Sequence, residues 1–163
     1  MSAHRGHRAR GQSLTEFALI LPVLLLVLMG VFDFGRALYA YNSISNAARM
    51  GGRTAIVNQT PAEIRARAIA QATALGIDPA STSCPPAGAS GVCIEFKNAA
   101  LTGPCVSSVS YIGCVAQITV KYSFTAITPI IGRVMGPVPM SSKTSQAIES
   151  SCTTGGSVVC PIP

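Results

Sequence analysis

The sequence predicts an α+β fold: a long N-terminal transmembrane helix followed by a small disulfide-stapled domain, with a short helix and a mainly antiparallel sheet of about three strands. Three observations carry this expectation. Residues 17 to 32 form an apolar run without a charged side chain. All six cysteines lie downstream of that run. Between Val115 and Phe124, apolar and polar residues alternate with the period of a half-buried strand.

Each element follows in chain order. Residues 1–11 are polar and basic, without apolar periodicity, and are expected to be a disordered leader. Leu14 to Phe32, as a helix, spans about 28 Å, close to a bilayer core of about 30 Å. Pro22 and Gly30 lie inside it, where membrane helices tolerate them, with a kink expected near Pro22. Asp33 and Arg36 mark the exit into water. Phe34, Leu38, Tyr41, Ile44 and Ala48 then recur at helical spacing, giving one apolar stripe, so the helix is expected to continue to about residue 57. Ala47, Ala48, Gly51, Gly52 and Ala55 form a small-residue surface. It suits close packing against a neighbour, although a weak helix end at Gly51-Gly52 is an equal alternative.

Residues 58–163 are expected to form the domain beyond the membrane. Thr60-Pro61-Ala62-Glu63 has the form of a capping box with proline at the first helical position. Ile64, Ala68, Ala72 and Leu75 line one face of the predicted helix, and Gly76 supplies its stop. Strands are expected at 92–97, 115–124 and 140–148, with a short helical turn within 127–134. Cys84 and Cys93, and Cys105 and Cys114, are two C-x8-C segments, and Cys152 and Cys160 enclose the tail. Pairing in sequence order is one of fifteen connectivities. It would close three short loops, each worth about 2–3 kcal/mol.

Composition excludes several function classes. Charged residues make up 11% of the chain, against about a quarter in soluble domains. The net charge is +6, and Arg5, Arg8 and Arg10 stand before any acid. A basic arm directly before an apolar run reads as a topogenic signal that keeps the N-terminus cytoplasmic, rather than as a nucleic-acid arm. Six cysteines confined to the exported part read as disulfides of an oxidising compartment. A metal site is not expected: there is no C-x-x-C, and His4 and His7 precede the apolar run. No histidine follows the run, which excludes Ser-His-Asp and Cys-His nucleophile designs. Neither catalysis nor a cofactor is expected.

The informative stretch is Gly11-Gln12-Ser13-Leu14-Thr15-Glu16-Phe17. Glu16 lies about one turn inside the membrane helix, where an unpaired carboxylate costs roughly 2–3 kcal/mol. It either has a cationic partner or sits among headgroups at the positive helix N-terminus. From Arg10 to Arg53, including Ala47-Ala48-Arg49 and Gly51-Gly52-Arg53, the sequence resembles the N-terminal signature of TadE-like pilus assembly proteins. These are minor pilin-like (pseudopilin) components of the tight-adherence, Flp-type pilus system. TadF-like and TadG-like proteins share this region. The resemblance implies that residues 1–11 are a prepilin leader, removed by a prepilin peptidase that cuts between Gly11 and Gln12. It further implies that Phe17 completes the processing motif and that Glu16 pairs with the new α-amine of a neighbouring subunit. Implied partners are the peptidase, pilin-like subunits, the pilus assembly machinery and membrane lipid, with no nucleic acid. The implied location is the bacterial inner membrane, single-pass, with the C-terminal domain outside.

One competing reading is a secreted disulfide-rich binding protein with an ordinary signal peptide, cut after Ala40. Leu38 is a poor residue for that signal, and the helical stripe continues past it.

Overall fold

The computed structural model describes residues 9–81, 83, 84, 86, 90–105 and 111–150. In chain order the elements are α1 (Ala9–Val57), α2 (Pro61–Ala70), β1 (Gly91–Lys97), β2 (Val115–Phe124), α3 (Pro129–Met135) and β3 (Val138–Ala147), with a 3₁₀ turn at Thr73–Leu75 after α2. The three strands form one antiparallel sheet in the order β1-β2-β3. The expected α+β architecture is therefore present.

α1 runs unbroken through Pro22 and through the Gly51-Gly52 pair, so that pair is not a helix end. Its second half lies across one face of the sheet beside α2. Ile44, Ala47, Ala48 and Ala55 of α1 share a core with Ile64 and Ala68 of α2, Val92 of β1, and Ala116, Ile118 and Val120 of β2. The small-residue surface thus packs within the chain itself. A Cβ built on Gly51 would stand 3.2 Å from Ile118 Cγ2 and 3.3 Å from Ala68 Cβ, and one on Gly52 would stand 2.9 Å from Thr144 Cγ2. Glycine at these two positions lets the helix backbone approach the sheet.

The helix continues through the apolar stripe as expected, and the stripe divides between core and surface. Ile44 and Ala48 are buried, whereas Phe34, Leu38 and Tyr41 are exposed, and Ala40, Ser43 and Ala47 are buried beside them. The sheet meets the helix on a side of small residues, so the bulky ones fall outside the contact.

The C-terminus of α1 is closed by side chains. Gln59, fully buried, donates from Nε2 to the carbonyls of Ala55 at 2.9 Å and Ser150 at 2.9 Å. Ser150 Oγ in turn donates to the Ile56 carbonyl at 3.2 Å. These bonds satisfy carbonyls that a helix end leaves open, and they tie the chain after β3 back to α1.

α2 is shorter than the sequence suggests. Pro61 stands at its start as expected, but the Thr60 side chain makes no capping hydrogen bond. Instead Asn58 Oδ1 accepts from the Thr60 amide at 2.9 Å. The helix ends at Ala70 because Ala72 adopts φ −132°, and a 3₁₀ turn carries the chain on to Gly76 at φ +59°. Ala72 is still buried and Leu75 packs on the core, so the apolar spacing held while the winding tightened.

β3 begins at Val138, two residues before the expected start, and includes Pro139. Pro139 pairs with Ser123 on an edge strand, where a missing N–H is tolerated. Cys84 bonds to Cys93 with Cα atoms 5.1 Å apart, and Cys105 to Cys114 at 5.9 Å. Cys152 and Cys160 lie outside the described residues, as does most of the expected leader.

Candidate functional site: the membrane helix and its clamp

Gly11 and Gln12 fall in the first turn of α1, which starts two residues before Gly11 rather than after it. Glu16 and Phe17 lie one turn further on and are exposed. Four residues of helix rise about 6 Å, so Gln12 and Glu16 stand one above the other on one side of the rod. The structure therefore brings the predicted processing residues together on one helix end. The described cysteines belong to the domain and stand apart from them.

From Leu14 to Phe32 the large apolar side chains are exposed all round the helix, among them Phe17, Leu19, Val23, Leu28 and Phe32. A helix apolar on every side needs an apolar environment on every side. This helix is long and apolar enough to cross a membrane.

The end of that run is held by a contact that the sequence reading missed. Asp33 is only 6% exposed. Its carboxylate accepts from the Thr128 hydroxyl at 2.5 Å, the Thr128 amide at 2.9 Å and the Ile127 amide at 3.0 Å. Arg36 lies 3.6 Å from the same carboxylate, and its guanidinium also sits 5.6 Å from the ring centroid of Phe124, the last residue of β2. The Thr128 hydroxyl foremost, then the Thr128 and Ile127 amides, hold the Asp33 carboxyl below the usual carboxylate range, against the opposing effect of burial. Asp33 is thus an acceptor that fastens the β2–α3 connection to the helix, not merely a polar mark at the end of the apolar run. The legible signal was the pair of an acid ending the apolar run and Thr128-Pro129 opening a turn elsewhere. Nothing in the sequence joined them across 95 residues.

A cleft of about 290 Å³ between the β2–α3 connection and α3 is lined, among the described residues, by Thr125, Ala126, Thr128, Gly132, Arg133, Gly136 and Pro137, of which Arg133 is ionisable. Among the described residues no group of three or more His, Cys, Asp or Glu side chains is placed to hold a metal.

Among known families, the one described as TadE-like protein matches residues 11–53. No curated protein and no solved structure gives a significant match. The matched stretch opens at Gly11, contains the exposed apolar run and Asp33, and ends where α1 lies against the sheet. Over that stretch, from the foot of the apolar helix to its seat in the domain, the chain is similar to the TadE-like family.

Proposed function

We propose that this protein is a minor pilin-like component needed for assembly of a Flp-type tight-adherence pilus. In this reading a prepilin peptidase removes residues 1–11, and Leu14 to Phe32 anchor the chain in the bacterial inner membrane with the domain outside. The observation that carries the reading is the TadE-like match, which begins at Gly11 and spans one continuous helix whose first half is apolar on all sides. Gly11 presents no side chain to an intramembrane protease. Cleavage leaves Gln12 as the first residue and Glu16 as the fifth, one turn above the new amine.

A carboxylate at that depth is costly alone and cheap when paired with an ammonium. The α-amine of an adjacent pilin-like subunit supplies that charge, so pairing favours lateral assembly over a dispersed state. The role is structural, and its partners are the peptidase, pilin-like subunits and the assembly machinery.

Mass analysis of the membrane-fraction chain tests the reading. A chain starting at Gln12, and an uncut chain when the peptidase is absent, are expected. A start near Tyr41 would instead support an ordinary signal peptide; that cut would sever α1 and discard Asp33 together with its hydrogen bonds.

A further inference from the structure

We infer that the α3 hairpin, Ile127 to Met135, is a second membrane contact, lying in the headgroup and upper acyl region beside the point where α1 leaves the bilayer. The inference rests on the membrane-anchored reading of α1, and it concerns a part of the chain outside the TadE-like match.

Level is the first argument. The amides of Ile127 and Thr128 bind Asp33, the residue directly after the apolar run, so α3 starts within hydrogen-bond reach of the membrane exit. Gly30, one turn earlier on the Asp33 side of the helix, is the first residue of the run to be partly covered. β2 points the same way, since its last residue, Phe124, lies against Arg36 while its first, Val115, is about 30 Å further along the strand.

Surface chemistry is the second argument. Ile127 is 71% exposed, Val134 81% and Met135 65%. Phe32 and Phe34, the chain neighbours of Asp33 on α1, are exposed as well. From Thr125 to Pro137 the chain carries no acid and one base, Arg133, which is exposed. Apolar residues with a lone cation, held at the exit level, match the boundary between acyl chains and anionic headgroups. The fold also sets the hairpin's shape. A Cβ on Gly132 would meet the Ala126 carbonyl oxygen at 3.1 Å, and Gly136 turns the chain into β3 at φ +64°.

The chain contains no tryptophan, so one introduced indole reports one position. The test uses the full chain in vesicles of phosphatidylcholine and phosphatidylglycerol, with and without lipid brominated in the upper acyl chain. Val134→Trp and Met135→Trp are the probes. Leu24→Trp marks the membrane run, and Ala100→Trp marks the opposite end of the sheet. Both probes are expected to lose about half their emission in brominated lipid, as interfacial indoles do, with Leu24→Trp quenched and Ala100→Trp unchanged. Probes that behave like Ala100→Trp while Leu24→Trp is quenched overturn the inference and leave the membrane reading standing. Probes shielded from water yet insensitive to bromine indicate contact with a second copy, and also overturn it. An unquenched Leu24→Trp overturns both.

Discussion

Alanine at Gly51 and at Gly52 separates distance from compliance in the helix–sheet contact. The bare distances rank Gly52 as the tighter site, since its Cβ would stand 2.9 Å from Thr144 Cγ2 and 3.1 Å from Gln146 Cγ, against 3.2 Å and 3.3 Å at Gly51. The neighbours reverse the ranking. Thr144 and Gln146 are half-buried side chains on the edge strand β3, and both can rotate away. At Gly51 the added methyl would meet Ile118 on the central strand, fully buried, and Ala68, whose Cβ moves only with the α2 backbone. Both substitutions gain about 0.8–1 kcal/mol from helix propensity. Overpacking a closed site costs about 1–3 kcal/mol, so Gly51→Ala is expected to lose about 1 kcal/mol net. Gly52→Ala is expected to fall within about 0.5 kcal/mol of the parent, the propensity gain offsetting a small rotation. Urea unfolding of the detergent-solubilised chain, followed by tyrosine fluorescence, measures both, with the slope checked for constancy. A stabilised Gly51→Ala beside a clearly destabilised Gly52→Ala would refute the view that the central strand and α2, rather than the edge, set how close the helix can lie.

Three further outcomes are expected. Asp33 has a lowered pKa in the folded chain, so its tether holds in full above about pH 4 and is lost as acidification carries the pH down through the folded value. The Thr128 amide resonance followed over that range should titrate in the parent chain and stay flat in Asp33→Asn. Replacing Cys84 and Cys93 together by serine should cost about 2–3 kcal/mol, since the bond closes a loop of nine residues. Peptide mapping of the non-reduced chain should recover Cys84 linked to Cys93 and Cys105 linked to Cys114; scrambled partners would contradict the fold. Gly11→Leu should leave the leader attached, while Glu16→Ala should be processed and inserted yet fail in pilus assembly. Normal pili from both variants would dispose of the roles given to those residues.

The parts of the fold legible in the sequence are those written in local periodicity. The apolar run, the strand at 115–124 and the proline-led start of α2 each repeat a pattern within one element, and each stands where that pattern puts it. What escaped depends on which side of an element meets another. Phe34, Leu38 and Tyr41 share helical spacing with Ile44, but spacing marks a face without saying what will cover it. The sheet chose the alanine and glycine side, because a flat layer approaches most closely where side chains are shortest. Asp33 escaped for the same reason. Its role depends on two amides supplied by a connection far along the chain, and no window around residue 33 contains them.

The unbroken helix has a mechanical consequence. One rod supplies both the exposed apolar run and the residues at the centre of the domain core, with no loop between them. A domain on a flexible linker can swivel above a membrane. Here, rotation about the exit point would have to bend α1, or break the Asp33 bonds to Thr128 and Ile127 and draw Arg36 off Phe124. The clamp lies about 16 Å along the helix from Ile44, the first large residue buried in the core. The sheet is therefore braced against α1 at two separated points. In a pilin-like assembly, helix–helix contacts made within the membrane would in this way fix how the domains outside it face one another. Asp33→Asn should loosen that relation without removing the anchor, a result that separates an orienting clamp from a purely stabilising one.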